Sequence, residues 1–284
     1  MNTSDDLRLR KIANDIRIDI IKMLAEAGSG HPAGSLGLAD VFAAMYFSVL
    51  KHDPKNPAWD KRDILVLSNG HCVPAQYAAM AEAGYFPKEE LLTLRKLGSR
   101  LQGHPERTYL PGLETTSGPL GSGLSQAAGM ARVLQIDGVT DRWVYCITSD
   151  GEHDEGNFWE GAMLAAKYNL HNLVVIVDRN NIQIDGITED VMPLENLADK
   201  WAAFGWHVQE IDGHNMEAIL DACALARTIT EKPSVIIAHT VPGKGVPYME
   251  GKSGWHGVVP KGEQVDEALF ELKKIAKKLD QEAA

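Results

Sequence analysis

Trp143-Val144-Tyr145-Cys146-Ile147-Thr148-Ser149-Asp150-Gly151 and, thirty residues beyond Asp150, the run Leu173–Val177 closing at Asn180-Asn181 decide how this chain folds. Each is a short apolar stretch rich in β-branched residues and ended by Gly or Asn. That is the pattern of a strand buried on both faces of a parallel sheet. Between them Phe158, Trp159, Ala162, Met163, Ala165 and Ala166 recur at helical spacing, so the unit is strand–helix–strand. Parallel neighbours lie about 4.8 Å apart and point their carboxyl ends the same way. The Asp150 carboxylate and the Asn180 amide oxygen therefore come within reach of one cation at the ligand-binding edge of the sheet. Oxygen ligands with room for waters and phosphate oxygens suit Mg²⁺ or Ca²⁺ and not zinc. The competing reading makes Asp-Gly and Asn-Asn ordinary turn residues; the spacing and the flanking strands favour a metal–diphosphate site.

Outward from this unit, strands and helices alternate. Leu7, Ile12, Ile16, Ile20 and Leu24 mark an opening amphipathic helix, and Ala39–Leu50 a second with Met45 and Leu50 as core candidates. Asp63–Leu67 reads as a strand ending in Ser68-Asn69-Gly70-His71, with an Ala-rich helix over Pro74–Ala83. Residues 87–119 are long and turn-rich, which in a folded domain signals a functional loop. Leu124–Leu134 is helical, Trp206–Ile211 and Val235–His239 are strands, and Met216–Ile229 is the helix between them. Gly254–Pro260 is loop, and residues from about 264 to 284 form an amphipathic helix. The expected class is α/β: one doubly wound, mostly parallel sheet with helices on both faces, spanning 1–284 as a single domain.

At 284 residues and 44% hydrophobic content the chain can bury one sizeable core, or at most two modest ones. Its net charge of −11 argues against a nucleic-acid-binding surface. Cys72, Cys146 and Cys223 lack metal-ligand spacing and suit a reducing, cytoplasmic setting. No apolar signal segment opens the chain, and no window has the uninterrupted apolar length of a membrane span.

Four of the ten histidines sit in loops flanked by Gly or Pro: Gly30-His31-Pro32, Gly70-His71, Gly103-His104-Pro105 and Trp255-His256-Gly257. Glycine lets backbone approach a ligand, and His can donate, accept or move a proton near neutral pH. A single Gly-His pair is more often structural, as His214 in a strand-to-helix turn illustrates. No two of the four have zinc-ligand spacing on a shared element. His52, His153, His171, His207 and His239 are read as surface or core residues.

The Asp150-Gly151…Asn180 spacing resembles the thiamine diphosphate signature, and the chain resembles the N-terminal half of transketolase. The resemblance runs over about residues 10–260 through Ser29–Pro32, Leu67–His71, Gly103–Glu106, Thr116–Gly121 and His256-Gly257. It implies a thiamine diphosphate-binding fold with Mg²⁺ or Ca²⁺ held by Asp150, Asn180 and the Ile182 carbonyl. Gly151 then opens the strand end to the diphosphate, and His71 and His256 lie near the diphosphate and the reacting carbons. His31 and His104 contact substrate hydroxyls, and His31 or His256 moves the proton when the carbon–carbon bond breaks. Gly118, Pro119 and Leu120 line the cofactor rings, and Glu155 matches the acid that links two active sites across a dimer. Two positions depart from the family pattern: Ser149 where Gly is usual, and Thr116-Ser117-Gly118 where Thr-Thr-Gly is usual.

Transketolases continue into a pyrimidine-binding domain and a C-terminal domain that have no counterpart in these 284 residues. The closing helix reads as a natural end, so the resemblance implies the N-terminal subunit of a split transketolase. Such a chain works with a C-terminal partner chain in a heterotetramer and moves a two-carbon ketol unit between sugar phosphates. The alternatives are a subunit of a 2-oxoacid dehydrogenase, a deoxyxylulose-phosphate synthase relative, or a non-catalytic assembly subunit.

Overall fold

Alternation of apolar side chains along the central strands splits the interior into two cores. In the computed structural model, which describes residues 3–283, Tyr145 and Ile147 enter one core while Val144 and Cys146 enter the other. Val174 and Ile176 likewise oppose Leu173, Val175 and Val177. Each such side chain removed from water contributes roughly 1.5–3 kcal/mol, which is why both faces of these strands had to be covered.

The elements run α1 (Thr3–Ala27), α2 (Pro32–Gly37), α3 (Ala39–Ala44), β1 (Ile64–Leu67), α4 (Val73–Ala83), α5 (Gly123–Ile136), β2 (Val144–Ser149) and α6 (Gly156–Lys167). They continue as β3 (Leu173–Arg179), β4 (Ile182–Gln183), β5 (Gly186–Ile187), α7 (Thr188–Val191), α8 (Leu197–Ala203), β6 (His207–Asp212), α9 (Met216–Ala226), β7 (Ser234–His239) and α10 (Glu263–Glu282). Five strands form a parallel sheet in the order β1-β2-β3-β7-β6, with Ser149 in register with Asp178 and Arg179 with His239. β4 and β5 make a separate antiparallel hairpin. Helices α1, α3, α4, α9 and α10 cover one face of the sheet, and α5, α6 and α8 cover the other. This is the expected doubly wound α/β architecture.

Several local expectations need correction. The helix expected over Ala39–Leu50 keeps α geometry only to Ala44 and widens into a π turn at Met45–Val49. There the Tyr46 carbonyl is engaged by the His52 ring (2.7 Å). Met45 is buried, but Leu50 leaves the helix in extended conformation and is only partly covered. Pro32, read as loop, opens α2, because its fixed φ and missing N–H suit a first helical turn. Met163 and Leu164 on α6 face outward, leaving the apolar stripe to Phe158, Ala162 and Ala165. The β4–β5 hairpin, α7 and α8 carried no periodic signal because each is only two to seven residues long.

All five parallel strands end at one edge. The segments that follow β1, β2, β3 and β7 carry His71, Asp150, Asn180 and Thr240.

Candidate active site

Local structure fixes each of the four loop histidines. His31 is extended before Pro32, and the Ser35 hydroxyl donates to its carbonyl (2.7 Å). His71 sits in the single turn Gly70–Cys72 directly after β1. The His104 loop is closed by Ser117 N–H to the Pro105 carbonyl (3.2 Å) and by Thr116 to Glu106 (3.0 Å). His256 follows the turn Ser253–Trp255, with its N–H on the Ser253 carbonyl (2.8 Å).

These loops bring the four rings together. His31 lies 5.3 Å from His71, 6.0 Å from His104 and 5.7 Å from His256, centroid to centroid, and His71 and His256 are 5.0 Å apart. His214 and His153 instead serve the fold. His214 pairs with Asp40 (2.7 Å) and accepts from Val241 N–H (2.8 Å). His153 is buried, bonds the Ser149 carbonyl (2.9 Å) and accepts from the Trp201 indole (3.1 Å).

Burial, and then the positive potential of neighbouring groups, keeps the cluster uncharged. The His31 imidazole is pushed down to about 4 by burial first, then by His256, Arg95 and His104. His71 and His256 are lowered chiefly by burial, and His104 by burial and then Arg95. A neutral ring nitrogen can accept a hydrogen bond or a proton. His31 Nδ1 is buried without a partner, as are both polar atoms of the Asn69 amide and the Ser117 hydroxyl. Each such orphan costs about 1–3 kcal/mol, so a polar ligand that satisfies them gains that amount. The donor set, neutral imidazoles beside an amide and a hydroxyl, fits a phosphorylated or polyhydroxylated ligand.

At the ends of β2 and β3, Asp150 is 1% exposed. Its Oδ1 accepts from Gly151 N–H (2.8 Å), and its Oδ2 accepts from Asn181 N–H (2.7 Å) and Arg179 Nη1 (3.1 Å). Asn180 donates to Asp178 Oδ2 (2.7 Å), and its side-chain oxygen accepts from Ile182 N–H (3.0 Å). Burial raises the Asp150 carboxyl, with Arg179 pulling the other way. Burial also pushes Asp178 up to about 7, with the Asp150 charge adding to it. The buried Asp150 carboxylate, beside the Asn180 amide oxygen and the carbonyl-bearing segment at Ile182, matches the demand of a hard divalent cation. Among the described residues no three His, Cys, Asp or Glu side chains gather as metal ligands; a site of the expected kind takes only Asp150 from those types. A Cβ on Gly34, three residues after His31, would lie 3.8 Å from Asp178 Oδ2 and 4.0 Å from Asn180 Nδ2. The helix that follows His31 thus packs on the acidic strand end.

Gly118 has φ 153°, in the region that favours glycine, and a Cβ there would sit 3.7 Å from the His104 ring. Pro119 and Leu120 are exposed beside it, and Glu155, next to Gly121, holds the N-cap position of α6 with an exposed side chain that makes no capping hydrogen bond.

Sequence reasoning missed three residues. The buried Glu152 carboxylate accepts from the Ser68 hydroxyl (2.5 Å), Gly121 N–H (2.8 Å) and Ser149 N–H (2.9 Å), tying three site loops together. Arg179 joins Asp150 to Glu189 (2.5 Å) and Glu195 (2.7 Å). Arg95 lies beside His31 and His104. A lone acid or arginine in a turn or at a strand end carries no periodicity that would single it out.

The family model described as transketolase, thiamine diphosphate binding domain, matches residues 9–274. The chain is 44% identical over 272 residues to a 6-deoxy-6-sulfo-D-fructose transketolase subunit from Clostridium sp. (strain MSTE9), covering 96% of this chain and 98% of that one. It is 42% identical to an apulose-4-phosphate transketolase subunit from Phocaeicola vulgatus, over 93% of each. The crystal structure of transketolase from Campylobacter jejuni superposes with a TM-score of 0.88 at 35% identity, covering 98% of this chain and 43% of that one. The chain therefore spans under half the length of the Campylobacter jejuni transketolase and over nine-tenths of each of the two subunits.

Proposed function

Because the chain belongs to the transketolase family through its thiamine diphosphate-binding domain, we propose that it is the N-terminal subunit of a two-chain transketolase. The complex transfers a two-carbon ketol unit reversibly from a ketose phosphate to an aldose phosphate. The observation that carries this reading is the convergence of His31, His71, His104 and His256 at the sheet edge that bears Asp150 and Asn180.

In this proposal Asp150, Asn180 and the Ile182 carbonyl hold Mg²⁺ or Ca²⁺, and through it the diphosphate. Gly151 leaves room at the strand end. His71 and His256 flank the diphosphate and the reacting carbons, and Gly118, Pro119 and Leu120 line the cofactor rings. Thiamine diphosphate, when bound, supplies the electron sink for breaking and making the carbon–carbon bond. His31 and His104 hold the substrate hydroxyls. The uncharged His31 ring, with Nδ1 free of protein partners, accepts the hydroxyl proton or shares that task with His256.

The partner is a C-terminal transketolase chain carrying the pyrimidine-binding and C-terminal domains, in a heterotetramer with two copies of each. Exposed Val133, Ile136, Met163 and Leu164 on the packed pair α5 and α6 supply apolar surface for assembly, and Glu155 lies at the start of α6. Three free, buried cysteines accord with a cytoplasmic location. As one diphosphate-binding domain, this chain leaves much of the sugar recognition to the partner. Modified sugars, such as those in the relatives' names, stand beside the ordinary pentose phosphates as donors.

The test is a coupled assay with xylulose 5-phosphate, ribose 5-phosphate, thiamine diphosphate and Mg²⁺, run on the chain alone and with the polypeptide that co-purifies with it. Turnover confined to the mixture supports the reading, and a panel of ketose donors then ranks the sugars. Full turnover by the chain alone removes the two-chain reading. Failure of the mixture to bind thiamine diphosphate removes the enzymatic one.

A further inference from the structure

Arg95 belongs to none of the motifs above. Its backbone takes φ 61°, a region that residues with a Cβ rarely occupy, and its N–H closes a tight loop on the Leu101 carbonyl (2.9 Å). The guanidinium runs between two histidine turns. A Cβ on Gly103 would lie 2.7 Å from Arg95 Cζ, and one on Gly30 would lie 3.7 Å from Nε. Gly103, which precedes His104, thus leaves the space in which this side chain sits, and Gly30, which precedes His31, lies within ordinary contact distance of it. Nη2 donates to the Gly103 carbonyl at 3.4 Å. The neighbouring cations are neutralised, Lys96 by Glu26 and Arg100 by Glu90 (2.5 Å), whereas no carboxylate among the described residues pairs with Arg95. Unpaired strain and charge of this kind collect at functional sites.

We propose that Arg95 is a positioning residue of the candidate site: its guanidinium holds the Gly30-His31 and Gly103-His104 turns at a fixed separation and presents an uncompensated positive charge to both rings. The inference rests on the functional reading above and deepens it. A planar fork suits the task, because it lies flat in the gap between two backbones and keeps its charge at every working pH. The charged or titratable groups that face His31 are His71, His104, His256 and Arg95; those that face His104 are His31 and Arg95. With no acid among them, the fixed charge opposes protonation of either ring, so both remain proton acceptors. A misplacement of about 1 Å at either ring costs up to roughly a hundredfold in rate.

The experiment is an NMR titration of histidine-labelled full-length chain, wild type, Arg95→Gln and Arg95→Lys, with exposed His239 as internal control. The same variants are then assayed with the partner chain. Arg95→Gln is expected to raise the His31 and His104 midpoints by about half a pH unit and leave His239 in place. Arg95→Lys is expected to keep the midpoints near wild type while kcat/KM falls about tenfold, since charge persists and the fork does not. Unmoved midpoints in Arg95→Gln overturn the proposal. If Arg95→Gln does not fold, Arg95→Lys decides: wild-type kcat/KM overturns the proposal, and the split between midpoint and rate supports it. Absence of ketol transfer in the wild-type mixture sinks the functional reading, while the titration still decides whether Arg95 sets the protonation of both rings.

Discussion

Replacing Glu152 by alanine is the sharpest test of how this site is held together. The carboxylate is fully buried and serves Ser68 Oγ, Gly121 N–H and Ser149 N–H, at 2.5, 2.8 and 2.9 Å. Those donors belong to the segments that lead to His71, follow Leu120 and precede Asp150. Truncation strands two buried backbone amides at about 1–3 kcal/mol each. Against that, the variant no longer buries a charge, and burial is the main force raising the Glu152 carboxyl. The expected net loss is about 2–4 kcal/mol, or about 4–16 °C in Tm for a chain of this size. Glu152→Gln keeps the shape and one acceptor oxygen, loses one amide contact and sheds the charge, so it should cost only about 1 kcal/mol. Urea unfolding gives the stabilities, and a thiamine diphosphate titration reports whether the three loops loosen together. A cost below about 1 kcal/mol for Glu152→Ala, or equality with Glu152→Gln, would show that the amides find other acceptors and that Glu152 does not tie the loops.

Three further predictions rest on separate observations. Asp150→Asn keeps the side-chain volume but removes the charge a cation needs, so thiamine diphosphate affinity in Mg²⁺ should fall at least about tenfold with circular dichroism unchanged; undiminished affinity would count against the metal assignment. With His31 lowered to about 4, kcat/KM should stay flat as pH falls through 6.5 and decline only towards 4. An acid limb centred at 6.5 or above would exclude His31 as the base. His153 is buried with an imidazole held at about 3, chiefly by burial. The unfolded chain takes up that proton near 6.5, so this contribution to stability is complete above 6.5 and is lost as pH falls towards 3, by up to about 1.4 kcal/mol per pH unit. Urea midpoints measured between pH 4 and 7 should therefore fall more steeply for wild type than for His153→Gln; identical slopes would refute the linkage.

Much of this architecture was legible because it is written in local periodicity. The runs ending at Ser149 and Val177 are short, continuous and apolar between Gly and Asn, so they read as strands buried on both faces, and their side chains do divide between two cores. Phe158, Ala162 and Ala165 recur at helical spacing on α6. The Gly- and Pro-flanked histidines stood out as a set, but residue types alone placed none of them beside another. Family resemblance supplied that expectation, and the loops realised it by returning to one sheet edge from positions as far apart as His31 and His256.

What remained hidden depends on partners far away in the chain. Glu152 acquires its role only when β1 and β2 pair and bring Ser68 within 2.5 Å. Arg179 becomes a bridge only when β3 lies beside β2 and α7 carries Glu189 back over it. Arg95 becomes a wedge only because the fold brings the Gly103 and Gly30 turns to either side of it. The sequence by itself determined which segments become strands and helices and which face of each is apolar, since those follow from backbone geometry repeated every two or 3.6 residues. Only the tertiary structure decided which side chains share a site and how strongly they shift one another's proton affinity. Distance and desolvation set those energies, and neither is a property of any single stretch of chain.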